Sequence, residues 1–138
     1  MDQGRAAYRQ LDVWHVAMDL AAACHRATQG FPSREWFGLA SQMRRAAASI
    51  PANIAEGYCR RSRASYAHHI SIALGSHAEL ETQIELAVRL ELLDNQEARR
   101  LGDLVTRAGQ LLSALHRSLR RVRTPESRVP SPESRERT

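Results

Sequence analysis

Apolar residues recur every three or four positions along most of this chain, which is the spacing of one face of an α-helix. The clearest run, over residues 34–61, has intervals of four and three between Trp36, Ala40, Met43, Ala47, Ile50 and Ile54. Its register continues through Pro51, so the pattern predicts a helix there although proline disfavours a helix interior. Similar runs predict three further helices over residues 11–28, 63–93 and 96–122.

Capping and helix-breaking residues separate the four runs. Gly30 ends the first run, and Ser33 is a suitable N-cap for the second. Ser62 is suited to cap the third helix, while Asp94 and Glu97 form the D-x-x-E variant of a capping box before the fourth. Four long helices with short connections predict an all-α fold, specifically an up-down-up-down four-helix bundle.

The predicted bundle occupies residues 11–122, between an N-terminal extension (1–10) and a tail (123–138). The tail repeats PESR, contains three prolines and is almost without apolar residues, so we expect it to be disordered. Inside the bundle, the third helix carries a second apolar set beside its main seam: Ile72, Leu86, Leu90 and Leu93. One buried face per helix suffices for a lone bundle, so this additional surface predicts self-association.

The charge of the chain points to an anionic partner. Its net charge is +5 and its pI is about 10.2. All 20 basic residues are arginine, whose planar guanidinium suits phosphate recognition; a genome that prefers arginine codons is the alternative explanation. Arginines at helix C-termini also complement the helix dipole. The clustered arginines are the candidate nucleic-acid-binding residues: Arg44, Arg60, Arg61, Arg63, Arg99, Arg100, Arg117, Arg120, Arg121 and Arg123.

A polar stripe runs beside the apolar face of the second helix. It comprises Gln42, Arg45, Ser49, Asn53 and Glu56, and the third helix offers a matching set in Ser76, Glu79 and Gln83. We interpret both sets as one polar network between the two helices, with Arg45 paired to Glu79. Networks of this kind fix register and partner choice more than they add stability. A solvated face is the alternative.

The residues that would carry catalysis or metal binding lack the required spacing. No glutamate lies three residues before any of the six histidines, so the Glu-x-x-His pairs of di-iron bundles are not found. His77, on the seam of the third helix, is interpreted as a hydrogen-bonded structural residue. Cys24 and Cys59 are expected to be reduced thiols. We therefore expect a non-enzymatic protein without metal or cofactor.

The sequence contains no predicted membrane span or signal peptide. No apolar run approaches the length of a membrane span, and the N-terminus lacks the apolar core of a signal peptide. We expect a cytoplasmic protein without membrane contact.

Two long segments carry a resemblance to a known family. FGLASQMRRAAASIPANIAEG (37–57) and ALGSHAELETQIELA (73–87), with the flanking LDVWHVAMDL and FPSREWFGL, resemble the 23S rRNA intervening-sequence (S23) proteins. The resemblance covers about residues 11–120. One departure is Glu91, where the family often has glycine.

The resemblance implies a left-handed up-down bundle that assembles into a ring, typically a homopentamer. Family members are encoded in intervening sequences of rRNA genes and in some mobile introns, and related bundles are accessory proteins of diversity-generating retroelements. The resemblance also implies that this protein is a non-enzymatic accessory factor that binds structured RNA or other nucleic acid through arginine-rich surfaces. The alternative is a scaffold that docks a reverse transcriptase or maturase-like protein, with nucleic-acid binding secondary.

Overall fold

The computed structural model describes residues 7–121. After a 3₁₀ turn at Tyr8–Gln10 come four α-helices: α1 (Asp12–Thr28), α2 (Ser41–Cys59), α3 (Arg63–Arg89) and α4 (Asn95–Arg120). A 3₁₀ helix at Ser33–Glu35 and a π-helical turn at Trp36–Ala40 precede α2. No strand occurs within residues 7–121, so the all-α prediction is confirmed there. The tail predicted over residues 123–138 lies outside the described residues.

Each helix packs against two others, so the four helices enclose one apolar core. α2 packs on α3, α3 on α4, and α1 on both α2 and α4. Large side chains from all four helices are fully buried at the centre: Leu20, Met43, Ile50, Ile54, Ile70, Leu80, Leu101 and Leu112. Burial of such side chains is the main favourable term in folding a domain of this size.

The start of the second helix differs from the prediction. Ser33 makes no capping hydrogen bond through its side chain, and the backbone passes through a 3₁₀ and a π-helical segment before α2 begins at Ser41. Gly38 takes non-helical dihedral angles (φ −107°, ψ −108°), which interrupts the apolar register. Trp36 is consequently 53% exposed instead of buried, and Phe37 is 95% exposed.

The third helix ends at Arg89, before the predicted boundary at Leu93. Glu91 adopts φ 61°, in the left-handed region, and the amides of Glu91 and Leu92 donate to the carbonyls of Val88 and Ala87. These two bonds form a Schellman motif, which closes a helix and favours glycine at the left-handed position. The predicted caps of α3 and α4 are confirmed: Ser62 Oγ accepts from Ser65 N, and the capping box is complete.

α2 and α3 approach each other closely at Gly57. α2 runs without interruption through Pro51, which is buried, so the helix predicted there is confirmed. A Cβ atom on Gly57 would lie 2.7 Å from Cβ of His69 and 3.0 Å from Cδ1 of Tyr66. The absence of a side chain at position 57 thus allows α3 to approach. α2 ends two residues later, at Cys59, instead of at Arg61.

Candidate nucleic-acid interface

The N-terminus of α3 and the C-terminus of α4 meet at one end of the bundle. Arg63 Nε donates to the carbonyl of Leu119 (3.3 Å), and its Nη2 donates to that of Ser118 (3.2 Å). These carbonyls belong to the last turn of α4, where helical hydrogen bonding runs out, and the guanidinium donates to both of them. We call residues 60–63 together with residues 116–121 the basic end.

The basic end unites two arginine clusters that are more than fifty residues apart in sequence. Residues 57–78 and 104–121 together contain seven arginines and neither aspartate nor glutamate. Arg61, Arg117 and Arg121 are exposed, and their guanidinium groups make no ion pair within residues 7–121. Arg120, another predicted residue, is exposed at the same end. A cluster of exposed arginines of this kind attracts phosphate groups.

Arg60 belongs to the basic end but is paired with a carboxylate. Its Nη2 donates to Glu56 Oε2 over 2.8 Å, one turn earlier on the chain, and both side chains are about half exposed. This hydrogen bond, followed by the charge of His69, holds the pKa of Glu56 below its usual range. The carboxylate therefore remains charged at neutral pH and offsets the charge of Arg60.

Part of the predicted polar network is present between α2 and α3. Ser76 Oγ donates to Ser49 Oγ over 2.8 Å, and Asn53 Nδ2 donates to the same hydroxyl oxygen over 3.1 Å. Asn53 Oδ1 lies 3.1 Å from His69 Nδ1, and His69 Nε2 lies 3.8 Å from Glu56 Oε2. His69 was absent from the sequence prediction, although its position four residues before Ala73 of the core seam could have indicated it.

The remaining members of the predicted network do not join it. Gln42, Arg45 and Glu79 are exposed, and no ion pair links Arg45 to Glu79 in the described part of the chain, so that predicted pair is wrong. Gln83 is buried, and its Oε1 has no hydrogen-bond partner among residues 7–121. The hydroxyl and amide groups of Ser49, Asn53 and Ser76 form the network, whereas Gln42, Arg45 and Glu79 remain in solvent.

Other arginines that were candidates for nucleic-acid binding have different surroundings. Arg44 Nε donates to Thr28 Oγ1 (2.7 Å) and Nη2 to the carbonyl of His25 (3.1 Å), so this side chain ties the end of α1 to α2. Arg99 and Arg100 line an open groove of about 580 Å³ together with two acids, Asp19 and Asp103. The mixed charge of that groove is less suited to a polyanion. Arg123 lies outside the described residues.

A cleft of about 470 Å³ opens at the basic end between α3 and α4. Its lining includes Arg63, His68, Ser71, His116 and Arg120. Neither histidine was a predicted site residue. Both lie in the acid-free segments, which is the sequence signal that could have found them.

The described residues contain neither a metal-binding cluster nor a helix that could span a membrane. Within residues 7–121, no group of three or more His, Cys, Asp or Glu side chains is arranged to hold a metal ion. No helix in that part of the chain is both long and apolar enough to cross a membrane.

A comparison with protein families gives one match. The model of the 23S rRNA-intervening sequence protein family matches residues 9–114, which include α1, α2, α3 and most of α4. No curated protein matches the chain. The match confirms the resemblance of residues 37–57 and 73–87, and the chain belongs to the 23S rRNA-intervening sequence protein family.

Proposed function

We propose that the protein is a non-enzymatic, oligomeric accessory factor that binds structured RNA through its basic end. The observation that carries this proposal is the convergence of Arg61, Arg117 and Arg121, from segments more than fifty residues apart in sequence, at one end of the bundle. Membership of a family named for intervening sequences in 23S rRNA supports a role connected with nucleic acid. The RNA would belong to the intervening sequence, intron or retroelement that the protein serves.

The chemistry of this end favours contacts with the RNA backbone. Guanidinium groups bind phosphates strongly and release condensed counterions from the nucleic acid, so affinity falls as salt rises. Backbone contacts position a protein without reading bases. We therefore expect little sequence preference among RNAs of the same shape.

Contacts along α2 and α3 support an up-down arrangement of the helices. Ser49 contacts Ser76, whereas Asn53, one turn later on α2, contacts His69, almost two turns earlier on α3. Antiparallel neighbours produce this order of contacts. The hydrogen bond from Arg63, at the start of α3, to Leu119, at the end of α4, likewise supports an antiparallel arrangement of α3 and α4.

Assembly into a ring, with five copies as the family resemblance implies, is supported by apolar groups left on α3. Ile72, Leu86 and Leu90 are 39%, 46% and 52% exposed. They lie at intervals that place them on one outer strip of the helix. A ring would cover this strip and repeat the basic end in every copy. Light scattering of the wild type and of Leu86→Arg tests assembly: we expect a pentamer that dissociates in the variant, and a monomeric wild type would overturn the ring.

RNA binding is tested with two variants that remove the same charge at different places. Arg61→Gln/Arg121→Gln acts at the basic end, and Arg99→Gln/Arg100→Gln acts in the mixed-charge groove. Fluorescence anisotropy with a labelled RNA hairpin at low salt is the measurement. We expect the first variant to lose at least tenfold in affinity and the second to lose little. Equal losses would contradict binding at the basic end, and a wild type that binds no RNA would contradict the proposal.

A second candidate function is docking of a protein such as a reverse transcriptase or a maturase-like factor. Phe37, which is 95% exposed, and Trp36, which is 53% exposed, favour it because exposed aromatic side chains are frequent binding anchors. Co-purification of the neighbouring gene product with wild type but not with Phe37→Ser would support docking. Retention of that product by the variant would exclude Phe37 as the anchor.

A further inference from the structure

The cleft between α3 and α4 at the basic end combines groups that bind single-stranded RNA. Arg63 and Arg120 supply guanidinium groups, His68 and His116 supply flat imidazole rings, and Ser71 supplies a hydroxyl. Unpaired bases stack on histidine rings and guanidinium planes, while arginines hold the backbone phosphates. The cleft thus offers a contact for each part of a nucleotide.

Two of these side chains are held in place by neighbours. Arg63 is anchored by the two carbonyls at the end of α4, which fixes one edge of its guanidinium. The ring of His68 lies edge-on to that of His69, with centroids 5.6 Å apart and an angle of 70° between the planes. His69 is itself buried and bonded to Asn53. Groups held in this way lose less entropy when a ligand binds.

The cleft is an open groove on the surface between α3 and α4. The bases of a duplex are stacked on one another, so only an unpaired strand offers base faces to the imidazole rings. A second groove of about 430 Å³ lies along the same pair of helices, and its lining includes Thr106, Gln110 and Ser113 together with the charged Glu81 and Arg117.

We propose that the α3–α4 cleft holds a single-stranded segment of RNA, with bases stacked on His68 and His116 and phosphates bound by Arg63 and Arg120. This inference rests on the proposed function and adds the part of the RNA that is bound. Duplex regions contact the exposed arginines of the basic end (Arg61, Arg117 and Arg121), and the single strand that leaves a duplex binds in the cleft.

The test uses a variant that fills the cleft without changing charge. Ser71→Trp introduces a large side chain at an exposed position on the cleft wall, and Thr82→Trp introduces the same side chain at an exposed position of α3 outside both grooves. The full chain is titrated into labelled U₁₂ and into a labelled blunt 12-base-pair RNA duplex, at low salt, by fluorescence anisotropy. His68→Ala is measured beside them.

We expect Ser71→Trp to lose at least tenfold in affinity for U₁₂ and less than threefold for the duplex, while Thr82→Trp matches the wild type on both. His68→Ala loses about tenfold for U₁₂, since stacking one base on an aromatic ring contributes roughly that factor or more. Circular dichroism shows that each variant is folded. If folded Ser71→Trp binds U₁₂ as tightly as the wild type, the cleft is not the site, and the proposed function stands. If the wild type binds neither RNA, both proposals fail.

Discussion

The close approach of α2 and α3 at Gly57 predicts an unusual response to the smallest substitution. Gly57→Ala adds one carbon, which would lie 2.7 Å from His69 Cβ, 3.0 Å from Tyr66 Cδ1 and 3.3 Å from the Tyr66 carbonyl oxygen. Carbon atoms in contact prefer about 3.5–4.0 Å. The Cβ of His69 is fixed to its backbone and cannot rotate away. The two helices must therefore separate locally.

The expected change in the free energy of unfolding is the sum of two opposing effects. Forcing an extra carbon into a packed contact costs roughly 1–3 kcal/mol. Replacing a helical glycine by alanine returns up to about 1 kcal/mol, and less near a helix end such as this one. We expect Gly57→Ala to lower the free energy of unfolding by about 1–2 kcal/mol.

Gly75→Ala is the matched control. Gly75 lies inside α3, is exposed, and has no atom within 4 Å of the position that a Cβ would take. This substitution should raise the free energy of unfolding by about 0.5–1 kcal/mol. Urea denaturation followed by circular dichroism, at one protein concentration, measures all three proteins. If both variants are stabilised by similar amounts, the helices do not meet at Gly57 as described.

Three further predictions concern the end of α3, the thiols and the Glu56 ion pair. Glu91→Gly should raise the free energy of unfolding by about 1 kcal/mol, because Glu91 has φ 61°; an unchanged or lower urea midpoint would refute it. Burial raises the pKa of the Cys24 thiol to about 11, so at pH 8 a disulfide reagent should label exposed Cys59 first and Cys24 only after unfolding, and fast labelling of both would contradict this. The ion pair with Arg60 lowers the pKa of Glu56 in the folded state, so it stabilises the fold above the unfolded pKa of about 4.3, and this stabilisation is lost as pH falls through the folded pKa. The small difference in the free energy of unfolding between wild type and Arg60→Gln should therefore be present at pH 7 and shrink in acid. A difference that grows in acid would exclude the pair.

The apolar pattern predicted the four helices because each buries one continuous face. Ile50 and Ile54 are fully buried on either side of Pro51. The apolar spacing across this proline therefore predicted the helix correctly, although proline by itself disfavours a helix interior. The pattern failed where the backbone leaves helical geometry. Nothing at Gly38 distinguishes it in sequence from a helical glycine, yet its dihedral angles turn Trp36 toward solvent.

The arginine clusters were visible in the sequence, but their relation in space was not. Arg63 and Leu119 are separated by 56 residues, and only the packing of α3 on α4 brings them together. Arg44 shows the reverse case, since its charge suggested a ligand whereas Thr28 and a carbonyl of α1 hold its side chain. The sequence shows which side chains carry charge, and tertiary contacts determine which of these charges can still bind a ligand.

Binding of RNA by the basic end is tested most directly by the salt dependence of affinity. The logarithm of the association constant is plotted against the logarithm of salt concentration for wild type and for Arg61→Gln/Arg121→Gln. Each phosphate contact contributes roughly 0.7–0.9 to the magnitude of the slope, so we expect a steep wild-type slope whose magnitude falls by about 1.4–1.8 in the variant, which lacks two arginines. Equal slopes for the two proteins would show that these arginines do not contact RNA phosphates.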